Sequence, residues 1–272
     1  MSRTVLTIGG SDSGGGAGIQ ADIKTFSALG LHGTCAITAV TAQNTLGVQQ
    51  VFSLPVQAVS AQLESVTSDF SIAFAKTGML HTGEIVEAVA GHLRRTAIPL
   101  VLDPVIEAEA GGRLLRPEAV AAVKEHLIPM ARVVVPNIFE ARALTGVCVR
   151  DRESAQKAAG RIMEMGPQAV IIKGGHLDCT DLLMEGSETA ALTGSRVAGG
   201  NHGVGCTYSA ALTSFLACGS CLKEAALLAK IFAEAAIVGS INAGKGAGPV
   251  SQWAAARAVA GAVSPLGRED IN

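Results

Sequence analysis

Apolar positions along this 272-residue chain fall into short unbroken runs that alternate with longer stretches of helical period. The runs Val5–Ile8, Cys35–Val40, Ile72–Ala75, Leu100–Leu102, Val133–Val135 and Val170–Ile172 predict strands. The stretches Ile19–Leu29, Glu84–Leu93 and Glu118–Leu127 predict helices between them. A strand that is apolar at every position is covered on both faces, so this order predicts an α/β fold: a mostly parallel central sheet flanked by helices on both faces, a three-layer αβα arrangement with right-handed crossovers. After about Asp178 the pattern changes to short β-like pieces, followed by helical stretches at Cys206–Ala217 and Lys223–Ile241. No linker, charge block or repeat divides the chain, so residues 1–272 read as a single domain. Met1–Arg3 and the tail from about Val263 read as loose, because apolar content there gives way to Gly, Pro and charge.

Each apolar run stops at a tail carrying chemistry: Gly9-Gly10-Ser11-Asp12, Lys76-Thr77-Gly78-Met79, Asp103-Pro104, Pro136-Asn137 and Lys173-Gly174-Gly175-His176. In a parallel sheet these tails share one rim, and ligands of such sheets bind beyond the carboxyl ends of the strands.

Composition narrows the choice of ligand. An apolar share of 49% excludes disorder as the main state, and a formal net charge of −2 leaves no basic surplus for a phosphate backbone or an anionic membrane. With 3% aromatic residues, stacking platforms for single-stranded nucleic acid are also missing. Nucleic acid is therefore not the expected partner. The mean hydropathy of +0.39 raises the question of a membrane span, but no stretch reaches the roughly 18–20 apolar residues a spanning helix needs. The first run is too short for a secretory segment, and the expected location is the cytoplasm. Six cysteines in apolar or glycine-rich surroundings fit reduced thiols better than a disulfide framework.

Gly9 to Asp22 is a glycine-rich segment that follows a strand and opens a helix, a place where backbone can approach an anion. It matches neither the Rossmann nor the Walker A spacing, so it reads as a ligand loop or as a flexible turn. Asp22 is a binding carboxylate or a solvated face residue. Gly239 to Gly246 approaches a Walker A loop, but Gly246 stands where the metal-binding hydroxyl belongs, and that reading is rejected. Cys218-Gly-Ser-Cys221 could pair with His202 and Cys206 around zinc; a helix between Cys206 and Cys218 would hold them about 18 Å apart, which favours a helix-end turn.

The strongest chemical signal is Asn201-His-Gly203-Val204-Gly205-Cys206-Thr207 leading into an apolar helix. Consecutive amides from Gly203 to Cys206 make an anion nest, and the helix dipole is expected to favour the Cys206 thiolate; the alternative is a small core cysteine. Asn137 and Glu140, one turn apart after a strand, suit a hydrated Mg²⁺ or cap the next helix. Lys173 beside Gly174-Gly175 offers a cation for phosphate oxygens, and Asp103 ends a strand in the same way. An anion nest, a cation, Mg²⁺-type groups and a base on one rim describe phosphoryl transfer.

Seven segments in order, Gly10 to Asp22, Thr41 to Asn44, Lys76 to Leu80, Leu102 to Val105, Pro136-Asn137 with Glu140, Lys173 to His176 and His202 to Thr207, resemble the bacterial hydroxymethylpyrimidine/phosphomethylpyrimidine kinase family of thiamine biosynthesis, within the ribokinase fold superfamily. The resemblance covers nearly the whole chain. It implies one ribokinase-like kinase domain, ATP and Mg²⁺ as cofactors, two successive phosphorylations of 4-amino-5-hydroxymethyl-2-methylpyrimidine, and a homodimer. It further implies that Asp22 and Gln43 hydrogen-bond the pyrimidine while Met79, Val105 and Gly10 lie against it. Lys173, Gly174, Asn137 and Thr207 fall at nucleotide positions, and Glu140, Asn137 and Asp103 at metal positions. Cys206 occupies the base position, and Gly203, Val204 and Gly205 supply charge-stabilising amides. Two departures stand out: Val204 replaces the family's usual Thr, and Glu107 and Glu109 add negative charge after Val105. A pyridoxine or pyridoxal kinase, or a non-catalytic pyrimidine-binding regulator, are the alternatives on the same scaffold.

Overall fold

The computed structural model describes residues 3–107, 114–175 and 177–262. Glu109, His176 and the two chain ends read as loose in part fall outside them. Strands β1 (Thr4–Asp12), β2 (His32–Asn44), β4 (Ile72–Thr77), β5 (Leu100–Leu102), β6 (Val133–Val134) and β7 (Ala169–Ile172) run parallel. β3 (Gly47–Ser53) adds antiparallel to β2 at one edge, and the hairpin β8 (Thr180–Glu185) and β9 (Glu188–Thr193) extends the other. The sheet order is β3-β2-β1-β4-β5-β6-β7-β8-β9.

Every residue of β5, β6 and β7 is buried, and successive side chains enter opposite cores. Val101, Val133 and Ile171 join one core, where they meet Leu212 and Phe232 of α7 (Val204–Ala217) and α8 (Leu222–Val238). Leu102, Val134 and Ile172 join the other, beneath α2 (Val56–Asp69), α3 (Gly83–Thr96), α4 (Pro117–Ala122), α5 (Ile138–Thr145) and α6 (Arg152–Met163). This two-sided burial is why the runs carry no polar alternation. α1 (Gly18–Ala28) and α9 (Gln252–Ala262) pack on the α7 side, where Phe26 is fully buried against Ala210 and Ala217.

Three elements differ from the apolar pattern for local reasons. The helix expected over Glu118–Leu127 is α-helical only to Ala122, then widens into a π turn at Val123–Leu127 and tightens at Ile128–Met130. Pro129 lacks an N–H and its ring would meet the carbonyl one turn back, so the α ladder cannot continue through it. The helix expected to reach Ile241 stops at Val238, before Gly239. β1 and β2 run past their apolar runs to Asp12 and Asn44, because Ser11 and Asp12 stay paired with Val40 and Thr41 beyond a bulge near Gly10. That extension carries polar side chains out over the rim.

Candidate active site

The parallel strands deliver Asp12, Lys76, Thr77, Asp103, Asn137 and Lys173 to one rim, with Asn137 and Lys173 bridged to each other. The N-terminus of α7 faces this rim. Gly203 precedes it in the left-handed region at φ +85°, and the Gly16 carbonyl packs where a Cβ on Gly203 would stand. The Val204 amide donates to Asn201 O at 3.0 Å and the Thr207 amide to Gly203 O at 2.9 Å, so Gly205 and Cys206 present the first-turn amides that the helix itself does not use.

Lys173 Nζ lies in front of this turn: a Cβ added to Gly205 would sit 3.7 Å from it. The amine is held 3.0 Å from Asp103 Oδ1 and 4.0 Å from Glu140 Oε2. Burial works to deprotonate Lys173, but the charges of Asp103 and Glu140 outweigh it and keep the amine above its ordinary pKa. Asp103, placed among the metal positions by the resemblance, has both oxygens occupied: Oδ2 accepts from Ser209 Oγ at 2.7 Å. Its structural part here is as the counterion of Lys173.

Asn137 and Glu140 form a capping box. Asn137 Oδ1 accepts from the amides of Phe139 and Glu140, and Glu140 Oε2 accepts from the Asn137 amide at 2.8 Å. Burial pushes the Glu140 carboxyl up to about 7, with Lys173 pulling it down and Asp103 opposing that pull. Among the described residues no group of three or more His, Cys, Asp or Glu side chains is arranged to hold a metal ion. Any part Asn137 and Glu140 take with Mg²⁺ would be through the ion's water shell, beside their work in the cap.

Cys206 departs from the dipole argument. Burial pushes its thiol up to about 11, against the lowering effect of the Lys76 charge and a hydrogen bond from the Gly18 amide. Helix-terminal position alone did not reveal this desolvation.

Asp22 is 1% exposed and faces inward. Both oxygens lie 2.8 Å from Lys76 Nζ, and Oδ2 also accepts from Thr7 Oγ1 at 2.6 Å. Asp22 is therefore not a solvated face residue, and its carboxylate is engaged by Lys76 and Thr7. Lys76, to which the sequence reading gave no role, belongs to this floor. A lysine closing the apolar strand Ile72–Thr77 was the available signal, since an unpaired buried ammonium is too costly to keep.

The expected pyrimidine contacts divide. Met79 covers Gly10, with its sulfur 3.5 Å from where a Gly10 Cβ would be. Gln43 Oε1 accepts from Thr41 Oγ1 at 3.1 Å, and Val105 is half-buried after β5. Thr207 is fully buried and its hydroxyl accepts from Gln252 Nε2, which removes it from any nucleotide surface. The Gly174 amide donates to Asp181 Oδ1 at 2.8 Å, and Asp181 is paired with Lys230 at 3.0 Å, so this amide positions Lys173 and is not itself open to phosphate. Cys218 and Cys221 cap the end of α7 and the start of α8 as free thiols, and the Lys245 and Gly246 amides rest on Thr45 Oγ1.

Comparison with known proteins places this geometry among vitamin kinases. The phosphomethylpyrimidine kinase family matches residues 12–251. A hydroxymethylpyrimidine/phosphomethylpyrimidine kinase of Haemophilus influenzae is 49% identical over 264 residues, 94% of this chain and 98% of its own. Among solved structures, a Staphylococcus aureus pyridoxal kinase in complex with ADP superposes with a TM-score of 0.87 at 38% identity, covering 93% of this chain and 94% of that one. A phosphomethylpyrimidine kinase of Clostridium difficile gives 0.77 at 40% identity over 85% and 97%.

Proposed function

Since the chain belongs to the phosphomethylpyrimidine kinase family, we propose that its rim carries out ATP-dependent phosphorylation of 4-amino-5-hydroxymethyl-2-methylpyrimidine and then of its monophosphate, the paired activity of thiamine biosynthesis. The observation that carries the assignment to these residues is Lys173 Nζ standing before the Gly205 backbone at the start of α7, which puts a fixed cation and two unused amides at one point.

In this reading the γ-phosphoryl group sits between Lys173 and the amides of Gly205 and Cys206, whose charges and dipoles are in place before the reaction and need no reorganisation. The acceptor oxygen attacks phosphorus as the bond to ADP breaks. In the first step the hydroxyl proton leaves toward Cys206, and in a loose transition state it leaves late, so a small thiolate fraction is enough; in the second step the attacking phosphate oxygen is already ionised and needs no base. Gln43, Met79, Val105 and Gly10 form the pyrimidine surface, with the Gln43 amide group as the polar contact. Asp22 works from below, by keeping Lys76 charged. Mg²⁺, when bound with the nucleotide, neutralises phosphate charge; Asn137 and Glu140 would hold its waters.

The finer assignments follow the same reasoning. Val40 and Phe52 are direct cross-strand neighbours on β2 and the edge strand β3, and are 40% and 56% exposed. A second copy of the chain covering this pair makes the protein a homodimer. Among the described residues no helix is long and apolar enough to cross a membrane.

A coupled ADP-release assay with Mg-ATP, run separately on the pyrimidine alcohol, its monophosphate and pyridoxal, tests the reading. Turnover of both pyrimidines supports it. Turnover of pyridoxal alone would move the protein to the activity named for its Staphylococcus neighbour.

A further inference from the structure

Asp12, at the end of β1, is 3% exposed, and its carboxylate accepts four hydrogen bonds. Three come from the glycine-rich loop, from the amides of Gly14 at 2.8 Å, Gly16 at 3.0 Å and Ala17 at 2.8 Å. The fourth is from His202 Nε2 at 2.9 Å, 190 residues away in sequence and immediately before Gly203. Burial works to raise the Asp12 carboxyl, and the His202 and amide hydrogen bonds overcome it and hold it below its ordinary pKa. One carboxylate thus ties the substrate-side loop to the start of α7.

The surrounding packing leaves this tie no slack. The His202 ring lies against Gly16, where any Cβ would strike it. Gly203 abuts the Gly16 carbonyl, and Gly18, at φ +58°, abuts the Gly10 carbonyl. His202 is itself fixed through its backbone: its amide donates to Gly248 O at 3.3 Å and its carbonyl accepts from Val250 at 3.2 Å.

We propose that His202 is a positioning residue for phosphoryl transfer, which acts through Asp12 to hold the Gly14–Gly18 loop against the first turn of α7. The proposal rests on the reading of Cys206 as the group at the reacting hydroxyl. His202 does not touch the reacting atoms; it sets the register between the loop that covers the acceptor and the turn that holds the phosphoryl group. An error of about 1 Å there is enough to slow a positioned reaction about 100-fold.

The test compares His202→Ala with His202→Gln, whose side-chain amide nitrogen reaches about as far as imidazole Nε2 and can donate to Asp12. Two quantities are read: kcat with KM for ATP, and the rate of iodoacetamide modification of Cys206, followed by mapping the Cys206 peptide. His202→Ala is expected to lower kcat about 100-fold with KM for ATP little changed, and to change the rate at which Cys206, on the first turn of α7, is alkylated. His202→Gln is expected to recover most of both. Alkylation at the wild-type rate in His202→Ala, or a Gln variant no better than Ala, overturns the latch. Failure of the underlying reading shows separately, as full turnover in Cys206→Ala.

Discussion

Lys76 Nζ lies 2.8 Å from both carboxylate oxygens of Asp22, and the two side chains are 0% and 1% exposed. The pair joins β4 to α1 under the reaction rim, with Thr7 completing the hydrogen bonds of Asp22. Burial lowers the pKa of Lys76, but the Asp22 charge outweighs it and raises the amine well above its ordinary range, so a permanent cation lies under Cys206.

Removing one partner leaves the other charge buried without compensation. Lys76→Met is expected to destabilise the fold by about 3–5 kcal/mol, whereas the double variant Lys76→Met with Asp22→Asn removes both charges and recovers most of that loss. Urea unfolding of the three proteins measures the difference. A double variant as unstable as Lys76→Met would show that the lysine acts by packing alone. Recovery of stability without recovery of turnover is the further expectation, because the cation under Cys206 remains absent.

The thiol of Cys206 makes a second prediction. With burial holding it at about 11, alkylation at neutral pH is slow and climbs about tenfold per pH unit from 7 to 10 with no plateau. Peptide-resolved iodoacetamide kinetics would show this. A plateau near pH 7 would mean a thiolate already formed, and would restore the dipole argument that the sequence alone suggested.

Fold and site were legible in the sequence to different depths. Val101 and Leu102 face opposite cores, and so do Val133 and Val134, so unbroken apolar runs reported a sheet covered on both sides. α2 buries only Val59 and Leu63, and a stripe that thin does not stand out from its polar surroundings. At the site, spacing marked Lys173, Cys206, Asn137 and Glu140 because each follows a strand end or opens a helix. Partners chosen by tertiary contact were not marked: Asp103 pairs with Lys173 across 70 residues, Asp22 with Lys76 across 54, and Asp12 with His202 across 190. Thr207 shows the converse error, since a hydroxyl one residue after the anion turn already points into the core.

Glu140 gives the protein a pH-dependent stability of defined sign. Its carboxyl rises from an ordinary 4.5 to about 7 on burial, so between those values the folded state binds more protons than the unfolded state and stability falls as pH rises. Glu140→Gln lacks this slope. The Tm of the variant minus that of the wild type is therefore expected to increase from pH 5 to pH 8 in thermal scans without nucleotide. A difference that stays level or shrinks would place the Glu140 pKa at or below its unfolded value.

Val40 and Phe52 make the last prediction, about assembly. They are opposed across an antiparallel pair at the edge of the sheet, and Leu46 at the β2–β3 turn is 62% exposed. An exposed edge strand with apolar side chains invites pairing or aggregation unless something covers it, and a second copy does so symmetrically. Phe52 packs little within its own chain, so Phe52→Glu is expected to change monomer stability by no more than about 0.5 kcal/mol while placing two carboxylates in a shared apolar contact. Light scattering should then show the wild type at twice the 27.6 kDa of one chain and the variant at 27.6 kDa, with unchanged melting of the variant at low concentration. A wild type already at the mass of one chain would refute the dimer, and a dimeric Phe52→Glu variant would move the interface away from this edge.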